Sequence, residues 1–232
     1  MEEQSHEQGS IETSPSSSSV DHKTWIETQD FLKKKLIAED DFTWRLAVTG
    51  RSMEKEEEVL KYVGGVDISY SKEDPSMACG ILVVLDLQTL QVVYEDFSIV
   101  TLHVPYLPGF LAFREAPVLL ELLEKMKTNA NPLYPQLLMV DGNGTLHPRA
   151  KEDYAQDFVT LKGCSGRIWG VAVRSTGGSL KPIFISVGHR IALDTAIRIV
   201  KMTCKFRVPE PIRQADIRSR DYVRKHQMRM SK

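Results

Sequence analysis

Residues 136–149 read Gln-Leu-Leu-Met-Val-Asp-Gly-Asn-Gly-Thr-Leu-His-Pro-Arg (QLLMVDGNGTLHPR), and the first half of that stretch decides the fold. Residues 137–140 are apolar without alternation. A strand with one wet face would alternate, so this run predicts a strand covered on both faces, as in the parallel part of a mixed sheet. The run ends on Asp141 and breaks at once into Gly142-Asn143-Gly144. A carboxylate directly after a buried strand is poorly placed for solvation unless a metal, a hydrogen-bonded turn or a cation compensates it. On residue type alone both readings stand: Asp before Gly-Asn-Gly forms turns more often than it binds metal.

Working outward, residues 62–70, 78–86 and 90–100 are three apolar runs with short connections, which predicts an antiparallel meander. Residues 116–127 place Leu119, Leu122, Leu123 and Met126 on one helical face, with Pro117 suited to a first turn. Further strands are expected at 168–173 and 182–187, and a helix at 192–204. Meander, helix, then buried strand is the order of a mixed α/β sheet with a crossover helix. Residues 24–60, with Trp25, Phe31, Leu32 and Leu36 at helical spacing, predict one or two amphipathic helices. Residues 1–22 are polar and Ser-rich and read as a disordered tail. Residues 23–220 then form the folded body, and 221–232 a basic C-terminal tail.

The formal net charge of −1 gives no bulk electrostatic case for nucleic acid. The C-terminal excess of Lys205, Arg207, Arg213, Arg218, Arg220, Arg224, Lys225 and Arg229 over Glu210, Asp216 and Asp221 reads as a solvated surface. No apolar run is long enough to span a bilayer, so no membrane partner is expected. Three scattered cysteines show neither zinc spacing nor a disulfide framework, which fits a reducing intracellular compartment.

The acids at element ends carry the chemistry. Asp67 lies inside the first strand run, flanked by Val66 and Ile68, and Asp141 ends the strand after the helix. If those strands are neighbours, the two carboxylates meet, and Glu115, just before the helix, points to the same place. Three clustered carboxylates repel unless a cation compensates them. Oxygen-only donors suit Mg2+, with Mn2+ as a substitute, and two such ions can drive phosphodiester hydrolysis. His189 reads either as a further ligand or proton carrier, or as a hydrogen-bonded core histidine. In Pro105-Tyr106-Leu107-Pro108 the two prolines stiffen a loop. Its aromatic tip serves as a wedge between stacked bases or as an ordinary turn packed on the core.

Five motifs occur in order: Val-Gly-Gly-Val-Asp67-Ile-Ser, Pro105-Tyr-Leu-Pro108, Phe113-Arg-Glu115-Ala-Pro117, Val140-Asp141-Gly-Asn-Gly144 with Leu146-His147, and Ser186-Val-Gly-His189-Arg190. Together, from about residue 24 onward, they resemble the endonuclease V family. The run Pro209-Glu-Pro-Ile-Arg-Gln-Ala-Asp216 is similar to its animal branch. The resemblance implies an RNase H-like mixed sheet with flanking helices. It implies Mg2+-dependent cleavage of the second phosphodiester 3′ to inosine, in RNA, preferably single-stranded, or to deoxyinosine in DNA. By the same resemblance Asp67 and Asp141 hold metal, Glu115 completes the acidic cluster and His189 is the active-site histidine. Tyr106, within the Pro105–Pro108 loop, is the wedge, and Gly142, Asn143, Gly144, Leu146 and His147 line the base pocket. The expected location is the cytoplasm and nucleus or nucleolus.

After Arg149 the family pattern continues into a helix and a strand bearing a lysine. This chain instead passes to Ala150-Lys-Glu-Asp-Tyr-Ala-Gln-Asp157 and rejoins near 168–174. The expected sheet therefore lacks one helix and one strand, and 137–140 becomes an edge. Phe158, Val159 and Leu161 offer a makeshift replacement within 153–162. The alternative reading is an internally deleted, catalytically impaired isoform that retains only RNA or protein binding.

Overall fold

A computed structural model describes residues 17–47, 58–142, 158–162 and 166–230. The chain divides into two units, 1–35 and 36–232. In the first, helix α1 spans Ser17–Lys34, so residues 17–22, read as a disordered tail, are helical. Helix does not extend over 36–47 as the apolar spacing predicted. Trp44 and Leu60 are instead buried, and Arg45 pairs in parallel with Val59.

In the second unit, β1 (Tyr62–Tyr70), β2 (Met77–Asp86) and β3 (Val92–Thr101) form the predicted meander. Helix α2 (Leu111–Thr128) then crosses over to β4 (Leu137–Val140), which lies parallel to β1. The strand order is β3-β2-β1-β4. Both faces of this sheet are covered, which is why β1 and β2 read as nearly continuous apolar runs. On one face Val66, Leu82 and Val84 pack against Leu122 and Met126 of α2, the predicted stripe. Helix α2 begins earlier than its apolar spacing announced. Residues 107–110 make a turn in which Phe110 N donates to Leu107 O at 3.0 Å, with Gly109 at φ +87°. That is type II geometry, and it releases the chain into helix at Leu111. Glu115 is therefore on the helix rather than before it, and Pro117 sits inside it rather than in its first turn.

On the other face Ile81, Val83 and Leu85 pack around Ala215. Ala215 belongs to α4 (Glu210–Met230), a helix that sequence patterning read as a solvated basic surface and tail. Its buried stripe is Ile212, Ala215 and Ser219. Two of those three are small or polar, so the apolar signal is weak while the packing is tight. A Cβ on Gly65 would lie 2.2 Å from Pro211 O, so β1 and the start of α4 approach to a distance only glycine permits. Residues 221–230 continue this helix, and the Tyr222 ring stacks on Phe97 at 4.5 Å.

A second antiparallel sheet has the order β5-β6-β7, formed by β5 (Phe158–Lys162), β6 (Ile168–Val173) and β7 (Ile183–Ser186). The makeshift strand thus exists, but it pairs with β6 and not beside β4. Among the described residues β4 is an edge, and Val140 is 62% exposed. Helix α3 (Leu193–Thr203) packs on this sheet through Leu193, Ala196, Ile197 and Val200. Its Ile199 joins Trp44, Leu60 and Val63 in the core of the main sheet. Among the described residues no helix is long and apolar enough to cross a membrane.

Candidate active site

The β1–β4 register pairs Val66 with Val140, so Asp67 and Asp141 each follow by one residue on adjacent strands. Neighbouring strands run about 4.8 Å apart, which brings both carboxylates to one end of the sheet centre. Asp67 pairs with Ile81 and faces α4, whose Ser219 hydroxyl donates to Asp67 Oδ2 at 2.9 Å. Glu115 arrives from α2 on the opposite face, where the Tyr70 hydroxyl donates to its Oε1 at 2.7 Å. The Arg114 guanidinium lies 4.9 Å over the Tyr70 ring.

The electrostatics tie these groups together. Burial pushes the Asp67 carboxyl above the usual range; the Ser219 hydrogen bond opposes this, and the charges of Asp216 and Asp141 push it further up. Burial likewise raises Glu115, the Tyr70 hydrogen bond opposes it, and Asp67 and Asp141 add to the rise against Arg114. Burial and the neighbouring Glu115 hold the Tyr70 hydroxyl in its protonated, donating form. Asp67 thus feels the charges of Asp141 and Asp216, and Glu115 those of Asp67 and Asp141. Asp216 was not among the residues expected at the site. It comes from α4, where Arg220 pairs with it at 2.5 Å. The signal that could have found it is the helical spacing of Ile212, Ala215 and Ser219, which turns Asp216 toward β1.

The donor set fits a hard divalent cation by its chemistry: oxygen only, with Asp67, Glu115 and Asp216 partly buried and Asp141 exposed rather than poorly solvated as its place after β4 suggested. Among the described residues no three of these groups converge on a single point; Asp67 and Glu115 are held by Ser219 and Tyr70. His189 lies on the turn after β7. Its Nδ1 accepts the backbone N–H of Ile37 at 3.4 Å, and it is not among the groups acting on Asp67 or Glu115. The turn is clamped further by Arg190, at φ +62°, whose Nε donates to Asp41 Oδ2 at 3.0 Å.

In the 105–108 loop Tyr106 is 62% exposed and Leu107 half-buried between the exposed Pro105 and Pro108. The loop is presented outward rather than packed flat on the core. Gly142 is exposed, and a Cβ there would meet nothing within 4 Å. Asn143, Gly144, Leu146 and His147 lie outside the described residues.

A sequence profile of the Endonuclease V family matches residues 45–152 and 149–217. Endonuclease V of Mus musculus is 39% identical over 240 residues, covering 87% of this chain and 69% of that protein. The Homo sapiens protein is 38% identical over 242 residues, with 87% and 83% covered. The crystal structure of the catalytic domain of human Endonuclease V superposes with a TM-score of 0.79 at 37% identity, covering 92% of this chain and 99% of that one. A Ciona intestinalis Endonuclease V, solved in complex with a 23mer DNA containing an inosine followed by a ribo-adenosine, gives 0.75 at 27% identity, with 91% and 99% covered. The mixed sheet and its flanking helices are thus the RNase H-like arrangement of those structures, and the chain belongs to the Endonuclease V family of nucleases.

Proposed function

We propose that this chain is an inosine-directed endonuclease that hydrolyses the second phosphodiester 3′ to inosine, with single-stranded RNA as preferred substrate and deoxyinosine-containing DNA as a second one. The observation that carries the reading is the β1–β4 register that sets Asp67 and Asp141 on adjacent strands, with Glu115 of α2 and Asp216 of α4 within electrostatic reach of Asp67. Asp67 and Asp141 would hold Mg2+, or Mn2+ in its place, with Glu115 and Asp216 completing the negative charge. The bound ion supplies activation of water and stabilisation of the leaving oxygen. The chain's own residues do the rest. Tyr70 and Ser219 hold two of the carboxylates in place. The outward Tyr106 enters the stack beside the target base. To Gly142, Asn143, Gly144, Leu146 and His147 we assign the reading of the hypoxanthine edge. His189 serves as the active-site histidine through Nε2, since Nδ1 is engaged by Ile37.

The nuclease body is the unit that starts at residue 36 and runs through α4 to residue 230, past the expected boundary at 220, and the protein resides in the cytoplasm and in the nucleus or nucleolus. An internal shortening after residue 149 is supported by two features. The family profile matches in two pieces that meet at 149–152. The alignment to the mouse protein runs over 240 positions on a 232-residue chain. The exposed edge at Val140, directly before Asp141, favours the second reading, an isoform that binds RNA or protein without cutting. One assay separates the two: folded protein with single-stranded RNA carrying one inosine, in Mg2+ and in EDTA. Mg2+-dependent cutting that Asp141→Ala abolishes supports the first reading. Binding without cutting supports the second.

A further inference from the structure

We propose that Ser219, with Ser69 behind it, is a positioning residue that fixes the Asp67 carboxylate for a divalent cation. The proposal rests on the metal-binding role given to Asp67 above. Ser219 is fully buried. Its hydroxyl has three partners in reach: Asp67 Oδ2 at 2.9 Å, Ser69 Oγ at 2.8 Å and the Asp216 carbonyl at 3.1 Å. It has one proton to give. A carboxylate is the strongest acceptor of the three, so the proton goes to Asp67. Ser69 then donates to Ser219, and the order of donation is Ser69 to Ser219 to Asp67. Ser69 stands two residues past Asp67 on the same face of β1, so the relay closes a ring between strand and helix.

Packing does not demand these hydroxyls. Position 219 continues the stripe of Ile212 and Ala215, where alanine would fill the space at no cost of burying a polar group. Of the partners within reach of the hydroxyl, Asp67 is the charged one. Hydrogen-bonding one carboxylate oxygen sets the plane of the group and the direction of its remaining lone pairs. Outer-shell partners of this kind typically change metal affinity by about 10–100-fold. Asp216 stands one turn before Ser219 on α4. The same helix therefore delivers both an acid of the cluster and the hydroxyl that aims its neighbour.

The test uses the full chain, Ser219→Ala and Ser69→Ala, titrated calorimetrically with Mn2+ alone in the absence of nucleic acid. Melting in EDTA and cleavage of inosine-containing RNA are measured alongside. The expected result for Ser219→Ala is a loss of about 10–100-fold in Mn2+ affinity. Its melting temperature in EDTA falls modestly, because the Asp67 carboxylate loses a hydrogen bond; KM for RNA is unchanged, and cleavage recovers at high Mn2+. Ser69→Ala shows a smaller loss in the same direction. Wild-type Mn2+ affinity in folded Ser219→Ala overturns the proposal, as does a fall in melting temperature with no change in affinity. Should Ser219→Ala not fold, Ser69→Ala with unchanged affinity overturns it equally. Absence of Mn2+ binding in the wild type, or binding that survives Asp67→Ala, sinks the metal role of Asp67 and the proposal with it. Binding and cutting by the wild type with an unaffected Ser219→Ala sinks the positioning role alone.

Discussion

Gly65→Ala places a methyl group where the chain has no room for one. The new Cβ would lie 2.2 Å from Pro211 O and 2.4 Å from Pro211 C, against an ordinary contact of 3.4 Å or more. Both neighbours are backbone. Gly65 is on a strand paired on both sides, and Pro211 is in the first turn of α4, so no side chain can swing aside. The start of α4 must retreat from the sheet by about 1 Å. Overpacking of this kind costs about 1–3 kcal/mol. For a chain of this size each kcal/mol lowers the melting temperature by roughly 2–4 °C, so the expected fall is about 2–12 °C. The same retreat moves Asp216 and Ser219 away from Asp67. A displacement of about 1 Å can cost on the order of a hundredfold in rate. Thermal melting in EDTA followed by single-turnover cleavage of inosine-containing RNA measures both effects. Gly177→Ala is the control, since a Cβ there meets nothing within 4 Å. A Gly65→Ala protein that melts with wild type would show that α4 does not pack on β1 as described. The melting result stands whether or not the chain cuts RNA.

Asp67→Asn should stabilise the metal-free protein at neutral pH while abolishing cleavage. The folded carboxyl lies above its usual 3.8, so the native state holds this proton more tightly than the unfolded chain does. That contribution is complete below 3.8 and is lost as pH rises through the folded value, leaving a charged, destabilising Asp67 at pH 7. The gain seen in EDTA at pH 7 should therefore vanish near pH 3, and a lower melting temperature at pH 7 would contradict the argument. Tyr106→Ala should raise KM for inosine-containing RNA while leaving the melting temperature unchanged, because the ring is 62% exposed; a loss of stability instead would mean that the ring packs on the core. Val140→Lys should reduce self-association by placing a charge on the apolar edge of β4, read by light scattering at rising protein concentration. Equal scattering from both proteins would exclude that edge as the source.

Much of the frame could be read locally. The 62–70 run coincides with β1 because both its faces are covered, and the apolar 137–140 run is β4, where Leu137 and Met139 pack toward one core and Leu138 toward another while Val140 stays exposed. Asp67 and Asp141 stood out because each interrupts or ends such a run, and the parallel register then brings them together. What tertiary structure decided is the contribution of α4. Glu210–Met230 is dominated by charge, and it packs through Ile212 and the small Ala215 and Ser219, which reach the sheet because Gly65 lets the backbones approach. Asp216 and Ser219 belong to the site for that reason; the helical spacing of the stripe points toward them, but its small and polar members leave hydropathy little to register. Strand β5 is a similar case: 158–162 has strand character by itself, but its partner, β6 rather than β4, is a matter of pairing between distant segments. Local pattern settles which faces of an element avoid water. Which faces meet depends on close approach and hydrogen-bond register between segments far apart in the chain.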